Sequence, residues 1–271
     1  MITDFSFLHF SDIHLTPAGE LFSGRDTYAL ALDALDEAQK LETPPAFIII
    51  SGDLSTDETR AEGCYLQLNA LLSEIKTRFT APIFLAMGNH DERVAFRRVV
   101  LHQPESAEPY FHAQTVNGLR VIVLDSLVPG KTRGFLDAPQ LAWLAGELDA
   151  CERALVVVHH SPIPIAVPFF APHQLTNADA LAAVIAPRAG KVMGVLSGHI
   201  HYPNAGLFAG TLAVSAPGCA FGLDPASQNG LRTVASSGFN VCHIRAGQLI
   251  VNPIILPDAR IELRYSSQKF E

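Results

Sequence analysis

The tetrapeptide Gly88-Asn89-His90-Asp91, directly after the apolar run Pro82 to Met87, constrains this chain more than any other feature. A strand that ends in a tight glycine turn and then presents an amide, an imidazole and a carboxylate is ill suited to core packing. It is well suited to holding a charged ligand. Four further apolar runs end the same way: at Ser11-Asp12-Ile13-His14, at Ser51-Gly52-Asp53, at His159-His160-Ser161-Pro162 and at Gly198-His199-Ile200-His201. Any one Asp-x-His or His-x-His pair is more often structural than metal-binding. Five such strand ends in one chain are hard to obtain by chance.

The stretches between these motifs predict an α/β fold. A strand over Phe5 to Phe10 is followed by an amphipathic helix over Tyr28 to Leu41, with Asp26 as its N-cap and Pro44-Pro45 as its stop. Ala46 to Ile50 is apolar throughout, as in a strand buried on both faces. A helix over Thr59 to Phe79 then leads to the strand Ile83 to Met87, giving the alternation of a parallel sheet whose ligands bind beyond the carboxyl ends of its strands. Asn117-Gly118 predicts a hairpin between Tyr110–His112 and Leu119–Leu124. A helix from Asp137, carrying Trp143, leads to the strand Ala154 to Val158. Thr176 or Asn177 caps a helix over Asp179 to Ile185, before the strand Val192 to Leu196. The remaining strands, His201–Leu207, Thr211–Ser215, Phe239–Ile244 and Leu249–Ile254, read as antiparallel and as a second sheet from the second half. Two loops stand beside the motifs: the proline-broken 163–175, and 217–237, rich in Gly, Ser, Ala and Asn. With no repeat and no linker, one domain over 1–271 is expected. Its tail, 257–271, would pack on the body or on another subunit.

Composition narrows the function. The 271 residues are 48% hydrophobic, enough for a sizeable core, and carry a formal charge of -8. No Lys/Arg cluster occurs, which disfavours a nucleic-acid or anionic-membrane partner. An acidic chain that binds an anion must gain positive potential locally, most simply from metal ions. The four cysteines are scattered and read as reduced thiols. The N-terminus lacks a basic leader pattern, and the apolar runs fall far short of the about 20 residues that span a bilayer, so a cytoplasmic location is expected.

Asp12 and His14, two apart in a segment read as extended, can point the same way, and so can His199 and His201. With Asp53, Asn89 and one histidine of the 159–160 pair they make seven ligands of carboxylate, imidazole and amide type without a thiolate. That set suits Mn, Fe, Co or Zn. Seven ligands exceed one ion. They fit two ions about 3.5–4 Å apart, which activate a water and neutralise a phosphoryl group during in-line hydrolysis. His9, His102, His112, His173 and His243 read as surface or supporting residues.

At these motifs, over residues 8–201, the sequence resembles the calcineurin-like metallophosphoesterase superfamily, whose pattern runs Asp-x-His, Gly-Asp, Gly-Asn-His-(Asp/Glu), His, Gly-His-x-His. The resemblance implies a four-layer α-β-β-α sandwich, two mixed sheets flanked by helices, with two metal ions at the strand ends. It implies that Asp12, His14 and His201 hold one ion, that Asn89, His160 and His199 hold the other, and that Asp53 bridges them. His160 is preferred to His159 because the family ligand precedes a proline by two positions, here Pro162. His90 would contact the phosphate and assist the leaving oxygen, with Asp91 orienting it or capping the segment that follows. Purple acid phosphatases carry a Tyr where this chain has Thr56, and protein serine/threonine phosphatases carry an Arg that Gly52-Asp53-Leu-Ser-Thr-Asp-Glu lacks. The Leu8-to-Leu15 opening, the Gln140-x-x-Trp143-Leu144 helix and the His-His-x-Pro form are similar to the class III cyclic nucleotide phosphodiesterase and glycerophosphodiesterase group. A small phosphodiester, first a cyclic nucleotide, is the implied substrate. Glycerophosphodiesters or phosphonate monoesters are the alternative, and a non-catalytic scaffold the distant one. A homo-oligomer would use the tail or the segment 103–115.

Overall fold

The chain folds around two sheets whose facing sides share one apolar layer. The computed structural model describes residues 3–257. The first sheet has the order β13-β12-β1-β2-β3, built from β1 (Phe5–Phe10), β2 (Ile48–Ile50), β3 (Ile83–Leu85), β12 (Ser236–Arg245) and β13 (Gln248–Pro257). The second has the order β4-β5-β6-β7-β9-β8, from β4 (His112–Val116), β5 (Leu119–Val123), β6 (Ala154–Val157), β7 (Val192–Ser197), β8 (Asn204–Phe208) and β9 (Thr211–Ser215). Phe7, Phe47, Ile49 and Phe84 from one side meet Val121, Val123, Leu155, Val157 and Leu196 from the other. Each such side chain contributes roughly 1.5–3 kcal/mol by leaving water.

Two outer layers complete the sandwich. Helices α1 (Thr27–Ala38) and α2 (Ala61–Arg78) cover Leu8, Phe10, Ile48 and Ile50. Helices α4 (Ala138–Ala150) and α5 (Ala178–Ile185) cover Ile122, Leu124, Val156 and Val195. The α-β-β-α expectation is thus met. The caps follow local chemistry: Asp26 accepts from the Ala29 amide and Asp137 from the Gln140 amide. Asn117 (φ 50°) and Gly118 (φ 80°) form the tight turn between β4 and β5, which pair antiparallel.

Several expectations need correction. The last two strands do not extend the second sheet. β12 pairs antiparallel with the edge of β1 that β2 leaves open, and β13 follows it. β9 runs parallel to β7, so only β4 and β8 are antiparallel members of the second sheet. Asn177 occupies the N-cap position of α5 but spends its side chain on both backbone groups of Leu136. The segment that Asp91 was expected to cap is a short helix over Arg93–Ala95 (α3), continued by a wide turn over Phe96–Val100, and its cap is Glu92. The 217–237 segment is not loop throughout, for β10 (Gly222–Leu223) and β11 (Thr233–Val234) pair within it. The expectation for the tail falls, beyond Pro257, outside the described residues.

Candidate metal centre

β1, β2, β3, β6 and β7 all end at the same edge of the sandwich, and each delivers its motif there. The delivery is not by extended chain, as the two-residue spacing suggested. Asp12 (φ 54°), His14 (φ 43°), Asp53 (φ 49°), His199 (φ 72°) and His201 (φ 56°) all adopt the left-handed conformation. Non-glycine residues there cost on the order of 1–3 kcal/mol each, and such strain clusters at functional sites. The turns close because the neighbouring loops touch: a Cβ on Gly88 would collide with Asp53, and one on Gly198 with Ser11 and Asp12.

Two sets of ligand-capable atoms result. One comprises Asp12, His14, Asp53 and His201, the other His159, His160 and His199, all buried. The Nε2 atoms of His14 and His201 face each other at 3.2 Å, with an Asp53 oxygen 3.6 Å from the first and an Asp12 oxygen 3.5 Å from the second. Asp53 also lies 3.3 Å from His159 Nε2, so its carboxylate stands between the two sets. Its other oxygen accepts from the His90 amide. Asn89 Oδ1, His159 Nε2 and His199 Nε2 are buried without a hydrogen-bond partner. Buried polar atoms left unmatched cost roughly 1–3 kcal/mol each, and a cation held by the cluster of His159 and His199 would complete those two.

The outer nitrogens are anchored as metal-ligating imidazoles are. His159 Nδ1 donates to the Ser51 carbonyl and His201 Nδ1 to that of Phe221. His160 differs from the expectation placed on it. Its Nδ1 bonds the Ser126 hydroxyl and its Nε2 the Thr132 carbonyl, so although it lies in the second set both nitrogens are engaged. The proline rule selected a neighbour of the residue that faces Asp53.

Asp91 is also corrected. It accepts from the amides of Leu54, Ser55 and Gly88 and from Tyr65 Oη, while the cap of α3 is Glu92. The His90 ring is held instead by the Thr56 carbonyl at Nδ1. Asp91 therefore locks the turn that carries Asn89 and His90 to the Gly52-Asp53 loop.

Burial drives the imidazoles of His14 and His199 well below the ordinary histidine range, and that of His160 to about 3. Neutral rings are what ligation requires. Burial pushes His159 the same way, but the Asp53 carboxylate outweighs it and raises the ring to about 9. Burial opposes ionisation of Asp53, yet His159, His90 and His14 hold it well below the carboxylate range. Asp91 is raised to about 6 by burial and by Asp53.

A layer of polar contacts lies behind the motifs, and of it the sequence reading had named only His9 as a supporting residue. His9, fully buried, bonds Ser51 Oγ and Asn240, and Ser51 in turn bonds Ser11. Asp125, beyond β5, forms a buried ion pair with Arg93 and has its backbone clamped by Gln140. Asp125-Ser126 follows an apolar run as the other motifs do, and that signal was available. Phe22 and Phe221, which stack on the site histidines, had none.

Buried His and Asp clusters able to hold metal ions, at the strand ends of such a sandwich, mark a metal-dependent phosphoesterase. Residues 5–203 match the calcineurin-like phosphoesterase family, and the chain belongs to it. Among curated relatives, it is 34% identical over 205 residues to a probable cyclic nucleotide phosphodiesterase of Rhodococcus erythropolis, covering 75% of this chain and 67% of that one. It is 32% identical over 210 residues to a cAMP/cGMP dual specificity phosphodiesterase of Mycobacterium tuberculosis, covering 76% and 65%. The chain thus spans about two thirds of these relatives' length. A dimetal phosphatase from Danio rerio shares the fold, with a TM-score of 0.64 at 15% identity over 93% of this chain and 98% of that one. No described helix is long and apolar enough to cross a membrane.

Proposed function

We propose that the chain hydrolyses small phosphodiesters, 3',5'-cyclic or 2',3'-cyclic nucleotides first, with two divalent cations bound at the strand ends. The observation that carries this reading is the pair of buried ligand-capable clusters at the strand ends, with the Asp53 carboxylate 3.6 Å from His14 in one and 3.3 Å from His159 in the other. Asp12, His14 and His201 would hold one ion, Asn89, His159 and His199 the other, and Asp53 would serve both. Carboxylate, imidazole and amide donors without a thiolate favour Mn, Fe, Zn or Co. When bound, the ions would lower the pKa of a water and neutralise phosphoryl charge.

The chain's own groups do the rest. A carbonyl can only accept, so the Thr56 contact keeps a proton on His90 Nδ1; the doubly protonated ring then offers its Nε2 proton to the leaving oxygen and returns to the neutral Nδ1–H form. Asp91 keeps the loop bearing Asn89 and His90 in register with Asp53. The names of the two relatives support a cyclic nucleotide as substrate.

The test is a panel of initial rates on Mn-loaded protein, using 3',5'-cyclic AMP, 2',3'-cyclic AMP, glycerophosphocholine, bis-p-nitrophenyl phosphate and p-nitrophenyl phosphate. Preference for a cyclic nucleotide is expected. Preference for glycerophosphocholine would move the substrate to glycerophosphodiesters, and activity confined to the monoester would overturn the diesterase reading.

A further inference from the structure

Two aromatic rings flank the first ligand set, and neither belongs to a metal motif. Phe22 stacks on His14 at 5.3 Å between centroids with an interplanar angle of 24°. Phe221 stacks on His201 at 4.1 Å and 21°, and lies 5.8 Å from His14. The two phenyl rings are 5.7 Å apart and tilted by 48°. Both residues are partly exposed, unlike the core phenylalanines Phe7, Phe47 and Phe84.

Their carriers are built as one piece. Arg25, itself buried, donates Nε to the Ala220 carbonyl and so ties the turn after Phe22 to the segment before Phe221. The Ala220 amide donates to the Asp12 carbonyl and the Cys219 amide to that of Ser11, which fixes the 219–221 segment against the first metal motif. The aromatic wall on the other side is of a different kind. Phe170 touches His199 edge-on and is buried with Val167, Ile200, Tyr202 and Leu223, a cluster against which the partly buried Phe221 packs from its rim.

We propose that Phe22 and Phe221 form a stacking platform for the base of a cyclic nucleotide, and that this platform sets substrate preference. This rests on the diesterase reading above. A purine or pyrimidine offers a flat apolar face, which is what two exposed phenyl edges beside a phosphoryl site can bind. Such stacking tolerates different bases, so the platform selects nucleotides over base-less diesters rather than adenine over guanine. The negative charge of the chain poses no obstacle, since the contact is uncharged.

The experiment compares kcat/KM for 3',5'-cyclic AMP with that for methyl ribofuranoside 3',5'-cyclic phosphate, which keeps the cyclic diester and lacks the base. Wild type, Phe22→Leu, Phe221→Leu, the double variant and Phe221→Tyr are measured with metal content determined in parallel. Leucine keeps apolar bulk against the histidines and removes the flat face. We expect the ratio of the two efficiencies to fall about tenfold in each leucine variant, chiefly through KM, and to be restored in Phe221→Tyr. Equal losses on both substrates would overturn the platform and make the rings supports of the histidines. If wild type hydrolyses neither cyclic compound, the cyclic nucleotide reading fails and the platform with it. Turnover of cyclic AMP with an unchanged ratio in the double variant removes the platform alone.

Discussion

His159 and His160 are adjacent and both fully buried, yet only His159 keeps a nitrogen unmatched toward Asp53. Spacing to a proline cannot distinguish them, because which ring turns inward is decided by the Ser51 carbonyl on one side and by Ser126 and Thr132 on the other. We expect His159→Ala to lose one of two ions and at least about 100-fold in kcat, whereas His160→Gln retains both. Metal content by mass spectrometry after dialysis, alongside rates, checks this. His90→Ala is expected to keep its metal and lose roughly 10²–10⁴-fold in kcat, the usual weight of a positioned acid or hydrogen-bond donor. Loss of metal in that variant would contradict its assigned role. That Asp, His and Asn side chains gather at the strand ends was legible in the sequence. Their left-handed backbone was not, because only contact with the neighbouring loops stabilises it.

At the level of elements, the loops after the strands hold one another, and the strongest such tie lies outside the metal motifs. Arg93 on α3 meets Asp125 at 2.8 Å and 3.0 Å and also donates to the Leu127 carbonyl, while Asp125 accepts from the Tyr110 and Leu127 amides. Removing one partner of a buried pair leaves the other uncompensated. Asp125→Ala is therefore expected to destabilise the fold by about 3–5 kcal/mol, read from the urea midpoint at constant slope. Ser126 follows Asp125 and contacts His160, so a drop in metal affinity should accompany the loss of stability. Strands and helices with strong periodicity were legible almost to the residue, as β1 and β9 show. The 93–100 helix was not, because its apolar positions serve contacts with α2 and the first core rather than a regular stripe.

On the scale of the whole molecule, the cost of burying neutral histidines under the sheet ends appears as pH dependence. Burial lowers His9 to about 3, against about 6.5 in the unfolded chain. Between those values the unfolded chain binds a proton that the folded one refuses, so stability falls as pH drops below about 6.5. His9 alone amounts to about 2 kcal/mol between pH 7 and pH 5. His14 and His199 act in the same direction, and Asp91, raised to about 6, offsets part of the effect. Urea unfolding of EDTA-treated protein should give lower stability at pH 5 than at pH 7, and His9→Gln should shrink the difference. A flat profile would contradict the buried neutral ring. The α-β-β-α layering itself was legible through family resemblance. The sheet to which each late strand belongs was not, because β12 and β13 are written like any hairpin and find their place only at the free edge of β1.

By itself the sequence determined the parallel strand ends, the His, Asp and Asn side chains gathered there and hence a metal-dependent phosphoesterase chemistry, because apolar runs that stop at Asp, His and Asn encode both a buried strand and what it delivers. Only the tertiary structure decided which histidine of a pair turns inward, that Asp91 locks a loop rather than orienting a ring, and that Phe22 and Phe221 meet beside the site. Those outcomes depend on hydrogen bonds and contacts between segments up to about two hundred residues apart. No local pattern in the chain carries that information.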